Sequence, residues 1–177
     1  MTTKDFFIPK ENTIQVPGDE FNWNFEGKPI HAKDTSFYRS LFEPTGEESW
    51  VFAGSIGSGD EENYFSFLLI VPYIDDNPLE QTYKLGDGQD LHLSHTHSIP
   101  APPGFTGFRV VYADDAELTI TLDPVKGTVK GDYNATFKTY RLSPNGTFNL
   151  KRDDQQANTK KVDVLSLFIT RSLNNDA

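Results

Sequence analysis

Apolar and polar residues alternate with a two-residue period along much of the chain. The clearest run places Leu118, Ile120 and Leu122 on one side, with threonine or glutamate between them. Successive side chains of a β-strand point to opposite faces, so this period indicates a half-buried strand. The segment 21–25 repeats the pattern, with aromatic residues on one side and asparagines on the other. Both segments therefore predict strands that bury one face.

Further segments have strand character, and clusters of Gly, Pro, Asp and Asn separate them. These segments are 50–55, 64–72, 91–97, 108–112, 129–137 and 148–150. Between the last two, Pro144-Asn145-Gly146 predicts a tight hairpin turn, because Asn-Gly tolerates the positive φ that such turns need. No segment before residue 155 shows helical periodicity.

Many short strands with regular turns predict an all-β fold, either an antiparallel β-sandwich or a flattened β-barrel. We expect about ten strands and little helix in a single β domain over residues 1–177. Residues 1–20 form an N-terminal extension in this interpretation, and 153–161 a polar linker. Residues 162–172 fit a terminal strand or a short helix. The 14 Phe, 7 Tyr and 2 Trp agree with sheet, where aromatic residues are favoured.

The charge of the chain narrows the classes of partner. Its formal net charge is −10, and no cluster of Lys or Arg is visible. Phosphate backbones are bound by basic surfaces, so we expect no nucleic-acid partner. A protein or a glycan is the expected partner, and the sequence indicates no oligomeric state. The chain has no cysteine, which excludes disulfides, thiolate metal sites and cysteine nucleophiles.

Neither a membrane span nor a conventional signal peptide is visible. The longest apolar stretch, 67–72, is far shorter than a bilayer requires, which predicts no transmembrane segment. The first nine residues lack the apolar core of a signal peptide. We therefore expect a soluble protein that is cytoplasmic, or secreted without a conventional signal peptide.

Five short segments share a strand-and-turn character and occur in a particular order. They are FEGKPIHA (25–32), TYKL (82–85), AELTIT (116–121), VKGDY (129–133) and GTFNL (146–150). In that order they resemble motifs of a bacterial family of small lipoprotein-type β domains of unknown function. The resemblance spans roughly residues 21–151 and implies an antiparallel β fold, with no catalytic residue to transfer. The chain shows no lipoprotein leader, and Ala116 and Asp132 stand where the family has small or turn-type residues.

One of these segments also has a direct physical interpretation. Gly131 precedes Tyr133 and Phe137. A glycine within a strand often marks a bend or a close approach, and the aromatic residues after it fit an apolar interior. We therefore expect both rings in the core.

The run His92-Leu93-Ser94-His95-Thr96-His97 is the best candidate for a metal site. On a strand, His95 and His97 project to the same face, and two imidazoles at that spacing can chelate one transition-metal ion. His92 lies on the opposite face. The HxH pattern is also similar to the first motif of cupins, although the glutamate and second histidine motif of that fold are absent.

Acidic clusters offer a weaker candidate for a cofactor site. They occur at 59–63, 75–77, 87–90, 114–115 and 153–154. Oxygen-rich loops can bind Ca²⁺, but none of these has EF-hand spacing. Asp, Asn and Gly also form turns for local reasons. Apart from Ca²⁺ or a transition metal, the sequence suggests no cofactor.

Three functional hypotheses follow. The first is a non-catalytic binding or structural β domain of bacterial type for a protein, a glycan or a small molecule, since no complete catalytic set is visible. The second is a metal-dependent, cupin-like β-barrel enzyme that uses His95 and His97. The third is an acidic immunity-type or secreted effector protein that engages a basic partner.

Overall fold

The computed structural model describes residues 3–9, 19–42 and 45–152. It contains twelve strands and one short 3₁₀ turn within these ranges. The strands are β1 (Thr3–Pro9), β2 (Glu20–Phe25), β3 (Lys28–His31), β4 (Asp34–Phe42), β5 (Glu47–Ile56), β6 (Phe65–Pro72), β7 (Leu79–Lys84), β8 (His92–Ile99), β9 (Phe105–Tyr112), β10 (Asp115–Asp123), β11 (Thr128–Thr136) and β12 (Asn145–Lys151). The 3₁₀ turn is Lys138–Tyr140.

The strands form two antiparallel sheets. Sheet A has the order β1-β9-β8-β6-β5-β4, and sheet B the order β3-β2-β12-β11-β10-β7. Each described strand therefore belongs to one of two six-stranded layers. The prediction of an all-β antiparallel sandwich is confirmed.

The core lies between the two sheets and is largely aromatic. Trp23, Phe52 and Phe148 are buried there, and the rings of Phe52 and Phe148 stack across the two layers with centroids 5.4 Å apart. The two-residue periods of the sequence are confirmed, because Leu118 and its alternate neighbours are all buried. Tyr133 and Phe137 are also in this core, as Gly131 predicted.

The predicted hairpin turn at Pro144-Asn145-Gly146 is wrong. Asn145 and Gly146 lie inside β12 and pair with Asn134 and Tyr133 of β11. The connection between the two strands runs through the 3₁₀ turn instead. Gly146 is required there for space rather than for a positive φ, because a Cβ at this position would come 2.5 Å from the ring of Tyr133.

The three predicted segments outside the central β domain are 1–20, 153–161 and 162–172, and the structure describes only part of the first. The predicted N-terminal extension, 1–20, contains β1, which pairs with β9 at the edge of sheet A. The predicted polar linker 153–161 and the predicted strand or helix 162–172 lie outside the described residues. Strand β4, at the opposite edge of sheet A, was not predicted.

The helical content of the described ranges is three residues. No helix there has the length and apolarity needed to cross a bilayer.

Candidate functional site

The two histidines predicted as metal ligands lie at one end of the sandwich, on the core-facing side of β8. His95 pairs with Phe67 of β6 and Val111 of β9, and its side chain is only 1 % exposed. The ring of His95 stacks on Phe65 at 5.3 Å and meets the edge of Phe137 at 4.7 Å. Its buried position is therefore built mainly from aromatic rings.

His97 follows on the same face and contacts His95 directly. The imidazoles stack with centroids 5.3 Å apart, and their Nδ1 atoms are 3.5 Å apart. Two nitrogens bound to one tetrahedral metal at about 2.0–2.1 Å would lie about 3.4 Å apart. The prediction that these two rings share one face is thus confirmed. The distance between their Nδ1 atoms is compatible with binding of both nitrogens to one metal ion.

An ion pair flanks His97 on the neighbouring strands. Arg109, its cross-strand partner on β9, donates Nε–H and Nη2–H to the two carboxylate oxygens of Asp5, at 2.6 and 2.9 Å. Tyr140 lies beside both groups: its side chain helps to raise the pKa of Arg109, and its ring meets His97 edge-on at 5.4 Å. Charged and aromatic groups therefore close this end of the core.

The two imidazoles are held neutral. Burial, and then the repulsion that protonated His95 and His97 would exert on each other, lower the pKa of His95 from 6.5 to about 3. Burial, and then the Arg109 guanidinium, lower the pKa of His97, while Asp5 opposes this shift. Neutral imidazole is the form that binds metals. The positively charged guanidinium of Arg109, in contrast, opposes the binding of a metal cation beside His97.

The described residues do not supply the further ligands that a metal centre needs. No group of three His, Cys, Asp or Glu residues is placed to hold an ion there. His92, as its parity predicts, pairs with Ile70 on the outer side of the sheet. Nε2 of His95 is buried and has no hydrogen-bond partner among the described groups. The metal site stays a prediction that rests on two ligands.

The described acidic clusters are engaged in turns. Asp75 Oδ1 accepts a hydrogen bond from the Asn77 amide at 2.8 Å, and Asp87 Oδ1 accepts one from the Gln89 amide at 2.9 Å. Asp114 differs, because its Oδ2 accepts a hydrogen bond from the Lys138 amide, 24 residues further along the chain, at 2.7 Å. Local bonds like those of Asp75 and Asp87 are the usual reason for acidic residues in turns. Ca²⁺ binding at these loops stays a prediction.

The outward face of sheet B is a second candidate site, which no sequence motif indicated. A shallow concavity of about 370 Å³ crosses its four central strands. Its polar lining residues are Glu20, Asn22, Thr119, Thr121, Lys130, Asp132, Thr147 and Asn149. The same alternation that predicted the core marks these positions as outward-facing. The pattern cannot show that they align, because alignment depends on strand order and register.

Register places the polar residues in rows across the sheet. One row runs through Thr119, Asp132, Thr147 and Asn22, each paired with the next. The adjacent row runs Thr121, Lys130, Asn149 and Glu20. Neighbouring strands are about 4.8 Å apart, so each row is a line of closely spaced polar groups.

The margins of this face are internally bonded. Asn24 Nδ2 donates to Asn145 Oδ1 at 2.9 Å, and the Thr82 and Thr119 hydroxyls are 3.0 Å apart. At one edge of the sheet, Lys84 pairs with Glu117 at 3.0 Å.

The centre differs from the margins. Lys130, Asp132, Thr147 and Asn149 are exposed. Within the described ranges, these four side chains make no hydrogen bond or ion pair. We call them the central quartet. It comprises two cross-strand pairs of β11 and β12 and presents an ammonium, a carboxylate, a hydroxyl and an amide to solvent.

Comparisons with protein-family models, with curated proteins and with solved structures find no match. The similarity to lipoprotein-type β domains therefore stays a prediction from the sequence.

Proposed function

We propose that this chain is a non-catalytic binding domain that takes a neutral, hydroxyl-rich glycan on the outward face of sheet B. The central quartet is the observation that carries the proposal. Its four polar side chains lie in a concavity and are not engaged by the described parts of the protein. Sugar hydroxyls both donate and accept hydrogen bonds, and the quartet offers donors and acceptors of each kind.

The chemistry of the face favours a glycan over a protein partner. Protein interfaces are centred on buried aromatic or arginine anchors. The concavity has no Arg, Tyr or Trp in its lining, and its one Phe, Phe148, is a core residue that is 3 % exposed. The face also carries charges of both signs, Lys130 together with Asp132 and Glu20, which suits a neutral ligand better than a polyanion.

The spacing and rigidity of the face support the same conclusion. Strands about 4.8 Å apart place polar groups at intervals comparable to the width of a pyranose ring. The aromatic core behind β11 and β12 holds the backbone of both strands. A surface that is organised before binding loses less entropy when the ligand binds.

A titration of the ¹⁵N-labelled chain with a panel of neutral oligosaccharides tests the proposal. With no aromatic stacking surface, we expect weak binding, with Kd around the millimolar range, or about −4 kcal/mol. The amide shifts should concentrate on β11 and β12. If no glycan moves these resonances at about ten-millimolar concentration, the proposal is wrong.

Matched variants localise the site. Asp132→Ala or Asn149→Ala should weaken binding about five- to tenfold, as expected for the loss of one or two direct hydrogen bonds. Asn134→Ala is the control, because Asn134 is exposed on the same strand outside the concavity. Equal effects of all three substitutions would contradict the placement of the ligand.

The short distance between the Nδ1 atoms of His95 and His97 is the observation that favours the second hypothesis, a metal-dependent enzyme. Elemental analysis of the purified chain, repeated on His95→Phe, tests it. Stoichiometric Zn, Fe, Ni or Mn that is lost in the variant would support this alternative over the glycan proposal. The third hypothesis, an acidic partner for a basic protein, predicts complexes in pull-downs at low salt that dissociate at high salt.

A further inference from the structure

The outward face of sheet A carries an apolar cluster of its own. Its buried members are Val51, Ala53, Leu68, Ile70, Phe108 and Val110. On β5 and β6 these residues alternate with the core residues Phe52 and Leu69, so they lie on the opposite side of the sheet from the sandwich core. We call this set the outer cluster.

The burial of the outer cluster requires a further layer. Val51 is 0 % exposed and Leu68 is 4 % exposed. Neighbouring strands shield a side chain only from the sides. If the outward face of sheet A were in contact with water, Val51 and Leu68 would therefore be partly exposed. An apolar sheet face is buried only when another layer packs on it.

Within the described ranges, the hydrophobic residues that pack on the outer cluster are three partly buried tyrosines, Tyr38, Tyr64 and Tyr112. They lie on or next to strands of sheet A itself and do not form a further layer. All twelve described strands belong to the two sheets, and sheet B covers the other side of sheet A. The loop after β5 approaches one end of the outer cluster, where a Cβ on Gly59 would come 2.7 Å from the Phe108 ring. Val51 and Leu68 are on the central strands β5 and β6, away from that loop. The remaining cover must come from chain outside the described ranges.

The sequence shows which segment has the right composition. Apolar residues are dense in 162–173, namely Val162, Val164, Leu165, Leu167, Phe168, Ile169 and Leu173. The segment 10–18, in contrast, holds only two large apolar residues, Ile14 and Val16. Apolar surface is unfavourable in water, so both the apolar residues of 162–173 and the outer cluster gain stability when they are buried.

The last described residue fixes where this segment starts. The Arg152 amide donates to the Gly127 carbonyl at 2.7 Å, and its Nη1 donates to the Pro124 carbonyl at 3.0 Å. This is the end of the sandwich where Leu122 and Trp50 line a common crevice. Residues 153–161 can extend about 30 Å. Packed layers are about 10 Å apart, so this length reaches from sheet B around sheet A to its outward face.

We propose that residues 162–173 pack on the outer cluster of the same chain and form a third layer over sheet A, with 153–161 as the connection. This inference does not depend on the proposed glycan site, which lies on the outward face of the other sheet.

The absence of cysteine from the chain allows a direct test in the full-length protein. Ser94→Cys places one thiol on the outward face of sheet A, beside Leu68. We expect slow alkylation of this thiol, and at least about tenfold faster alkylation when Phe168→Asp is added, because a buried charge would displace the segment. Asn174→Asp is the control and should leave the rate unchanged. Equal rates in all three proteins would overturn the proposal.

A second measurement separates packing within one chain from association between copies. Ser94→Cys combined with Leu165→Cys or Phe168→Cys should form an intramolecular disulfide in a monomer. The pair Ser94→Cys with His31→Cys should not, because His31 lies on the edge strand of sheet B. Protection or cross-linking that occurs only in a dimer, and depends on protein concentration, would assign the cover to a second copy and overturn the proposal.

Discussion

The ring of Phe148 lies against the backbone of Gly131, its cross-strand partner on β11. A Cβ added at residue 131 would come 2.4 Å from Phe148 Cζ and 2.8 Å from the carbonyl oxygen of Thr119. Gly146 and Tyr133 repeat the arrangement on the same two strands, with a separation of 2.5 Å. In both pairs the glycine leaves room for an aromatic ring beside the backbone, directly behind the central quartet.

Gly131→Ala should therefore destabilise the protein, although alanine is ordinarily the better strand residue. The added methyl group overlaps the Phe148 ring, and overpacking of this kind costs about 1–3 kcal/mol. Urea unfolding would measure the loss. A gain of stability, as expected when a glycine is replaced without a clash, would contradict the close approach.

A double-mutant cycle identifies the ring as the cause. In a Phe148→Leu background, Gly131→Ala should have a smaller effect, because the shorter side chain leaves space for the methyl group. The coupling energy should be about 1 kcal/mol. Additive effects would show that the backbone of Thr119, and not the ring, opposes the methyl group.

We expect the Tyr133 hydroxyl to contribute nothing to the stability of the fold. The side chain is 3 % exposed, and its hydroxyl has no hydrogen-bond partner within the described part of the chain. Burial raises the pKa of Tyr133 well above 10, so the phenol stays protonated. Tyr133→Phe removes a buried polar group that makes no bond, and should leave stability unchanged or raise it by about 1 kcal/mol. Thermal unfolding would measure the change.

Tyr140→Phe is the matched control, because the Tyr140 side chain interacts with the charged Arg109 guanidinium and helps to raise its pKa. It should lower the unfolding temperature. A larger loss for Tyr133→Phe than for Tyr140→Phe would mean that the buried hydroxyl does have a partner.

His95 should make the protein sensitive to acid. The folded protein keeps this imidazole neutral down to its pKa of about 3, whereas the unfolded chain takes up a proton near pH 6.5. Between these two values the unfolded state binds more protons. The free energy of unfolding should therefore fall by up to about 1.4 kcal/mol per unit as the pH drops through this window.

His95→Phe should reduce the pH dependence of the free energy of unfolding between about pH 6.5 and pH 3, because phenylalanine does not titrate. Phenylalanine should also fit the site, since the neighbours of His95 include the rings of Phe65 and Phe137. Denaturant unfolding at several pH values would measure the slopes. His31→Gln, at an exposed site, is the control and should keep the steep slope. An unchanged slope in His95→Phe would mean that carboxylates alone cause the acid sensitivity.

The Asp5–Arg109 pair should hold the edge strand β1 onto β9. The hydrogen bonds from Arg109 lower the pKa of Asp5, so the stabilisation is present above the carboxyl's ordinary pKa of about 3.9 and is lost as the pH falls below it. Asp5→Asn should speed hydrogen exchange of the β1 amides roughly two- to fivefold, since exposed pairs contribute little. Molar salt should remove the difference, and exchange that is unaffected by the substitution would contradict the role of the pair.

Several elements followed from the sequence because their signals were local. The alternation at Leu118, Ile120 and Leu122 predicted β10 and its buried face correctly, and the common face of His95 and His97 followed from their spacing. The hairpin at Asn145-Gly146 was predicted from an equally local signal and is wrong, because the glycine makes room for the Tyr133 ring of another strand. Local pattern cannot distinguish these two reasons for a glycine.

The sequence by itself determined that this protein is built from strands and which side of most strands is apolar, because a two-residue period needs only the geometry of one strand. The tertiary structure decided which residues of other strands each side contacts. Only strand order and register align Lys130, Asp132, Thr147 and Asn149 on one surface, and place the Asp5–Arg109 pair beside His97. Contacts between residues far apart in the chain depend on how all the strands pack together, and no single segment encodes that arrangement.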